Sequence, residues 1–289
     1  MNENDMNSDC QFVKSDAILQ MEKKRKQITI GIFLILGSVI FMVFPPLFIV
    51  VVLILVKFIT KSKNELTSMY KDVFVRELLE NNFENVVYQP TNGFTRDAVD
   101  SFDICRMGNR FFAEDYLNAS FRGINFEVSD VRIADESSDE DSSSTTMLFE
   151  GRFITFDFSR ELASSVKIFS DKFKYRALTR KENRQEKVEM ESVEFNKKFD
   201  VFSDNPHDAF YIITPNFMER LNALTTKYKS VAMSVTGRSI VVAFNEPENN
   251  AFDPKNMAGK VDYVEEQAKI QSDIDDIKII ISTILDLPE

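Results

Sequence analysis

The stretch QITIGIFLILGSVIFMVFPPLFIVVVLILVKFIT, Gln27 to Thr60, carries one charge, Lys57, and one Pro-Pro pair, Pro45 and Pro46. As one unbroken helix it would run about 50 Å at 1.5 Å per residue, against a hydrocarbon core about 30 Å thick. The prolines supply a break. Pro46 has no N–H and its ring clashes with the preceding turn, and Pro45 before it is pushed away from helical angles. A turn built from prolines also leaves few orphan donors, which matters in lipid, where unsatisfied backbone groups are costly. The segment therefore reads as a membrane hairpin, Ile28–Phe44 and Pro46–Ile59, turning at Pro45 and Pro46. A soluble core helix does not bury roughly 30 nearly uninterrupted apolar residues. A cleaved leader does not fit either, because the preceding stretch carries both signs of charge and no small-residue cleavage site follows. The arms reach only about 25 and 21 Å, so a re-entrant wedge stands as the alternative to a full crossing.

Outward from the hairpin, the charges set its orientation. Lys23, Lys24, Arg25 and Lys26 precede it, and Lys57, Lys61 and Lys63 close it. Basic residues at both open ends place both termini on the cytoplasmic side. No ionisable residue sits mid-segment, which leaves no transport path or proton relay. Residues 1–60 balance to +1, so the remaining chain carries −12 of the total −11. So acidic a body repels phosphate backbones, and nucleic acid is not an expected partner. The bilayer is.

Residues 1–26 read as a polar, basic tail, 27–60 as the hairpin, and 61–289 as one cytoplasmic domain. That domain opens in helix: Leu66, Met69, Tyr70, Val73, Phe74 and Leu78 recur at three- and four-residue spacing. From Tyr116 the pattern alternates, through Phe121, Ile124, Phe126, Val128, Val131 and Ile133 and again from Leu148 to Phe158, with a tight turn at Arg122-Gly123. These read as antiparallel strands. Between them lies DESSDEDSSSTT, Asp135–Thr146, which has nothing apolar to pack and reads as a disordered acidic loop. A strand is expected over Glu194–Phe202, a turn over Ser203–Asp208, and a helix from Pro215 to about Lys227 capped by Thr214. SVAMSV and SIVVAF flank a hairpin turn at Thr236-Gly237-Arg238. Residues 260–287 hold no Gly or Pro, and Ile270, Ile274, Ile277, Ile281 and Ile284 follow a 4-3-4-3 seam. That seam either docks on the Leu66–Leu78 helix or joins two copies of the chain. The fold class is α+β: a two-helix membrane hairpin, then a mostly antiparallel sheet with flanking helices.

Chemistry is sparse. Walker loops, GxGxxG, GxSxG and HExxH are all missing, and one histidine, His207, sits in a polar turn. With two cysteines on opposite sides of the apolar segment, no disulfide framework or zinc site is expected, and no cofactor or metal is assigned. Cys105 has no base nearby in sequence to make it a nucleophile. The densest polar motif is CRMGNRFFAEDYLNASFRG, whose Arg106, Arg110, Glu114 and Asp115 form a candidate cluster. Adjacent residues on a strand face opposite ways, so Glu114 and Asp115 are expected to brace a loop, pairing with Arg106 or Arg110, before they catalyse anything.

FENVVYQPTNGF, NRFFAEDYLNASFRGINFEVSDVRI, EGRFITFDF and FDVFSDNPHDAFYIITPNFMERLNAL follow the hairpin in that order. Together they resemble an uncharacterised bacterial membrane-protein family catalogued as domain of unknown function 3137, over most of residues 20–289. The resemblance implies a membrane-anchored α+β domain and no particular activity. The leading functional expectation is a binding or scaffold protein at the membrane. An enzyme acting on a lipid or envelope precursor is the second, resting on the Arg106–Asp115 cluster, and a channel component the third.

Overall fold

The computed structural model describes residues 3–38, 45–139, 142–157, 161, 163–173, 185–228, 230–245, 252–254 and 263–285. They form two compact units: Met1–Asn82 with Asn250–Asp273, and Phe83–Asn249 with Ile274–Glu289.

The first unit is helical. Helix α1, Glu3–Ser38, takes in most of the expected tail, and α2, Pro45–Tyr70, runs past the expected hairpin end. The two lie antiparallel. Met21, Arg25, Ile28 and Gly31 of α1 are buried, as are Ile59, Ser62, Leu66 and Tyr70 of α2, both sets at the three- and four-residue steps of a helix face. Gly31 sets their approach: a Cβ there would stand 2.8 Å from Ile59 Cγ1. Lys24 pairs with Glu65 across the seam. Pro45 and Pro46 occupy the first turn of α2, where a missing N–H costs nothing. The turn expected at Pro45 and Pro46 is therefore helix, and residues 39–44 lie outside the described residues. Among the described residues, no helix is long and apolar enough to cross a membrane, so the crossing expected for this segment is not found there. The apolar positions 39–44 and the side chains of 36–48 lie outside that search.

Past α2 the chain continues through a π-helical turn, Lys71–Val75, into α3, Arg76–Asn82. The C-terminal helix, Tyr263–Leu285, contributes its first half to this unit. Tyr70 donates to Glu266 at 3.0 Å, the Phe74 and Tyr263 rings stack at 5.6 Å, and Asn82 and Gln271 exchange two amide bonds at 3.1 Å.

In the second unit, nine strands among the described residues make one sheet. They are β1 Glu84–Gln89, β2 Arg110–Phe121, β3 Ile124–Asp139, β4 Ser142–Asp157, β5 Val166–Ser170, β6 Glu186–Lys187, β7 Phe199–Ser203, β8 Val231–Thr236 and β9 Ser239–Asn245. Their order is β1-β2-β3-β4-β9-β8-β5-β7-β6, and every neighbouring pair is antiparallel. The helices are α4 Arg96–Ser101, α5 Val193–Lys198, α6 Pro206–Ile212, α7 Pro215–Lys227 and the end of the C-terminal helix, α8. The mostly antiparallel α+β class is as the alternation implied. Phe149, Phe153, Phe169, Val241 and Ala243 pack in one cluster with Phe94, Val99 and Ile104. The alternate positions Phe126, Ile154, Phe156 and Val242 are buried as well. Burial on both faces is why VAMSV and IVVAF read as continuous apolar runs. Arg122 and Gly123 both have positive φ, 51° and 77°, the geometry of a two-residue hairpin turn.

Three expectations are corrected here. Residues 135–139 and 142–146 do not form a loose loop: β3 and β4 keep pairing through Asp135↔Thr146 to Asp139↔Ser142. A two-stranded ladder needs only backbone partners, and Ser137 and Ser144 add a side-chain bond at 2.9 Å. Glu194–Lys198 is helix rather than strand. The Ser192 hydroxyl accepts from the Phe195 N–H, and Phe195 stacks on Phe199 at 4.7 Å, a helical i,i+4 spacing. The expected turn at Ser203–Asp208 already enters α6 at Pro206, capped by Asn205. Helix α7 starts at Pro215 with Thr214 accepting from Phe217, as the sequence indicated.

Ile270, Ile274, Ile277, Ile281 and Ile284 are at most 7% exposed.

Candidate functional site

The sequence-flagged cluster comes apart in the structure. Arg106 reaches Asp135 at 2.8 Å and Arg110 pairs with Glu136, both on exposed surface. The Asn109 side chain acts as one more rung, donating to Glu136 O at 2.7 Å and accepting from its N–H at 2.8 Å. These contacts tie the start of β2 to the polar ribbon. Asp115 turns the other way. The register slips between Glu114 and Leu117, Asp115 takes φ 57°, and its buried carboxylate accepts from the Tyr88 hydroxyl. The Asp115 N–H bonds Pro90 O at 3.2 Å, while Ser129 donates to Glu114 O at 3.0 Å. The Pro90–Gly93 turn lies so close to this bulge that a Cβ on Gly93 would sit 2.5 Å from the Ala113 carbonyl carbon. Asp115 thus meets the Tyr88 hydroxyl, while Arg106 and Arg110 meet Asp135 and Glu136. The bulge is the cause, since it swings Asp115 inward and leaves the arginines to Asp135 and Glu136. Arg106, Arg110 and Asp115 brace the sheet through these contacts.

Cys105 is buried in the core beside Phe94, Val99 and Ile104. Burial, helped by Asp100 and Asp103, pushes its thiol up to about 12. Alkylation of folded protein at pH 8 is expected to run roughly a thousandfold slower than for a free thiol, because only the thiolate reacts. Maleimide kinetics with and without urea check this; equal rates would show an open site. The linked stability is complete below the ordinary thiol range and falls as the pH rises toward about 12, where the unfolded chain gains by ionising first.

A cavity of about 340 Å³ lies elsewhere in the second unit, where α7, β8, β9 and the end of α8 meet. Its walls are Ile212, Phe217, Met233, Val235, Ile240 and Ile284. Alternation on the strands aims Met233, Val235 and Ile240 at the helices, while the next residues, Ala232, Val241 and Ala243, belong to the Phe149–Phe153 core. The polar lining is Tyr211, Thr214, Asn216 and Arg220. Thr214 and Asn216 open helix α7, and Arg220 follows one turn later on the same side. Arg220 Nη1 donates to Thr283 O at 3.2 Å, holding a carbonyl in the last turn of α8. Among the described residues that line the cavity, Arg220 carries the only charge. The volume falls in the range of small-molecule sites, which are apolar with a few placed polar groups. The geometry supports binding. It assembles no acid–base pair or nucleophile.

Residues 147–288 match the family described as Protein of unknown function (DUF3137). The resemblance therefore holds over a shorter stretch than the motifs suggested, and it includes all the lining of the cavity. No curated protein matches. Among solved structures, the chain is similar to the mycobacterial trehalose monomycolate transport factor A, TtfA, at 12% identity and a TM-score of 0.39, over 71% of this chain and 93% of that one. A likeness this slight bears on neither fold nor function.

Proposed function

We propose that this is a membrane-anchored binding protein, in which the apolar stretches of α1 and α2 within residues 27–60 lie in the bilayer and tether an α+β unit with an open, mainly apolar cavity. One observation carries the anchoring. Ile30, Phe33 and Leu34 on α1 and Ile49, Leu53, Ile54 and Phe58 on α2 are 45–68% exposed. Each such side chain forgoes roughly 1.5–3 kcal/mol by staying in water, and soluble monomers rarely leave apolar patches of that kind uncovered. Lipid covers them without a protein partner. Lys23, Lys24 and Lys26 beyond one arm, with Lys57, Lys61 and Lys63 beyond the other, put both open ends on the cytoplasmic side by charge.

Alkaline carbonate should leave the full chain in the membrane pellet. Release as a detergent-free oligomer would make the flank an interface between copies and end this reading. Orientation is checked with an impermeant thiol reagent on intact cells, using Cys10 as the sole thiol and, separately, Ser143→Cys. Both are expected to label only after permeabilisation. Labelling of Ser143→Cys alone in intact cells would put the sheet unit outside.

A further inference from the structure

We infer that Lys23, Lys26, Lys57, Lys61 and Lys63 form a collar on the α1–α2 pair that gathers the headgroups of anionic phospholipids. The inference deepens the proposed anchoring and rests on it. All five side chains are exposed, and among the described residues only Lys61 has an acid within ion-pair reach, Glu65 at 3.9 Å. Glu65 is itself engaged by Lys24. Glu22, next to Lys23 in sequence, is exposed as well, so the collar keeps a positive surplus. The five also stand close together along the pair. Lys24 beside Glu65 and Gly31 beside Ile59 fix the register of the two antiparallel helices. That register brings Lys26 and Lys63 to one height, with Lys61 about 3 Å nearer the apolar end. Lys57 lies about one turn further in than Lys61, and Lys23 about one turn further out than Lys26.

The neighbours of these lysines name the partner. Lys26 shares a stripe of α1 with Ile30 and Phe33, and Lys61 shares one of α2 with Phe58 and Ile54, at the spacing of a helix face. Those four apolar side chains are 45–68% exposed. A cation followed along one stripe by uncovered apolar surface matches a phospholipid, headgroup and chain together. A soluble anion or an acidic peptide would pair with the lysines and leave the apolar stripe in water. Residues beyond 60 carry −12, which an anionic leaflet repels, so the attraction has to come from the collar. One lysine near an anionic surface is worth about a fivefold preference. Its long apolar stem lets the ammonium reach the headgroup level from a somewhat deeper or shallower position, as Lys57 and Lys23 require.

The test uses the full chain reconstituted in phosphatidylcholine vesicles. A trace of spin-labelled phosphatidylglycerol or spin-labelled phosphatidylcholine is added, and electron paramagnetic resonance reads the fraction of each that the protein holds motionally restricted. Both lipids should show such a fraction, with phosphatidylglycerol associating about three- to fivefold more strongly at low salt. The ratio should fall to about one in roughly 1 M NaCl, where screening is nearly complete. Replacing Lys26, Lys61 and Lys63 together by Gln should lower the low-salt ratio to below about two and leave the phosphatidylcholine fraction unchanged. The same three changed to Arg should keep the selectivity, which separates charge from loss of fold. Equal association of the two lipids with the unaltered chain at low salt would overturn the collar, while the anchoring reading would survive. A full ratio in the Gln variant would overturn the assignment to these lysines. No restricted lipid of either kind would mean that the pair is not in the bilayer, and the anchoring reading would fall together with the collar.

Discussion

Asp130→Ala is expected to destabilise the sheet unit by about 3–5 kcal/mol, the usual cost of removing one partner from a buried ion pair. Asp130 and Arg152 stand directly opposite on β3 and β4. Arg152 Nε meets Oδ1 at 2.7 Å and Nη2 meets Oδ2 at 3.0 Å, with side chains only 6% and 14% exposed. An arginine guanidinium stays charged over the working range, so losing the carboxylate takes from a buried cation the acid that meets it with two bonds. Replacing both, Asp130→Leu with Arg152→Met, should be far milder, because no charge is then buried. Urea unfolding of the four proteins of the cycle measures this. A single-mutant cost below about 1 kcal/mol would mean the pair behaves as a surface pair.

Glu266→Ala should be about as damaging to the helical unit, again about 3–5 kcal/mol. Glu266 is 5% exposed, accepts from Tyr70, and helps offset the buried charge of Arg25, itself 2% exposed. Burial pulls the Arg25 guanidinium down, and Tyr263 and Glu266 pull it back up. Burial and then Glu266 push the Tyr70 phenol up, so it stays protonated and donates. Glu266→Gln keeps an acceptor for Tyr70 and loses only the charge, so it should fall between wild type and Ala. Amide exchange over residues 263–273 reads the effect, together with melting in detergent. If Gln and Ala cost the same, the charge matters and the Tyr70 bond does not; if both cost nothing, the pocket around Arg25 is wet.

Much of the second unit was legible because its signals are local. Thr214-Pro215 announces α7, and positive φ at Gly123 and Gly237 sits where the turn residues do. What failed depended on partners distant in sequence. Reading 135–146 as loose removed Asp135 and Glu136 from the acids available to Arg106 and Arg110, so the cluster was given the wrong partners. Helix α5 was missed because it is only six residues long and runs straight into β7, so the Phe195–Phe199 spacing is too short a pattern to stand out and the Ser192 cap is its one local signal. The cavity left no trace in the sequence. Its lining comes from segments between Tyr211 and Leu285, and Arg220 alone looks like an ordinary charge on the polar side of an amphipathic helix. The apolarity of residues 27–60 was plain, whereas residues 39–44 lie outside the described residues.

The π-helical turn at Lys71–Val75 acts as a phase key. A helix with one residue added rotates everything beyond it by about 100° relative to a regular continuation. Here that rotation lets Leu66, Tyr70, Phe74 and Leu79, spaced 4-4-5, share one buried stripe. Deleting a single residue within the turn would leave a more regular helix with better hydrogen bonds. It would also carry Leu79 and the Asn82–Gln271 amide pair about 100° out of alignment. Length is therefore constrained in this turn in a way that composition is not. Substitutions that spare Lys71, Phe74 and Val75 are tolerable, while the loss of one residue is a frame error in three dimensions.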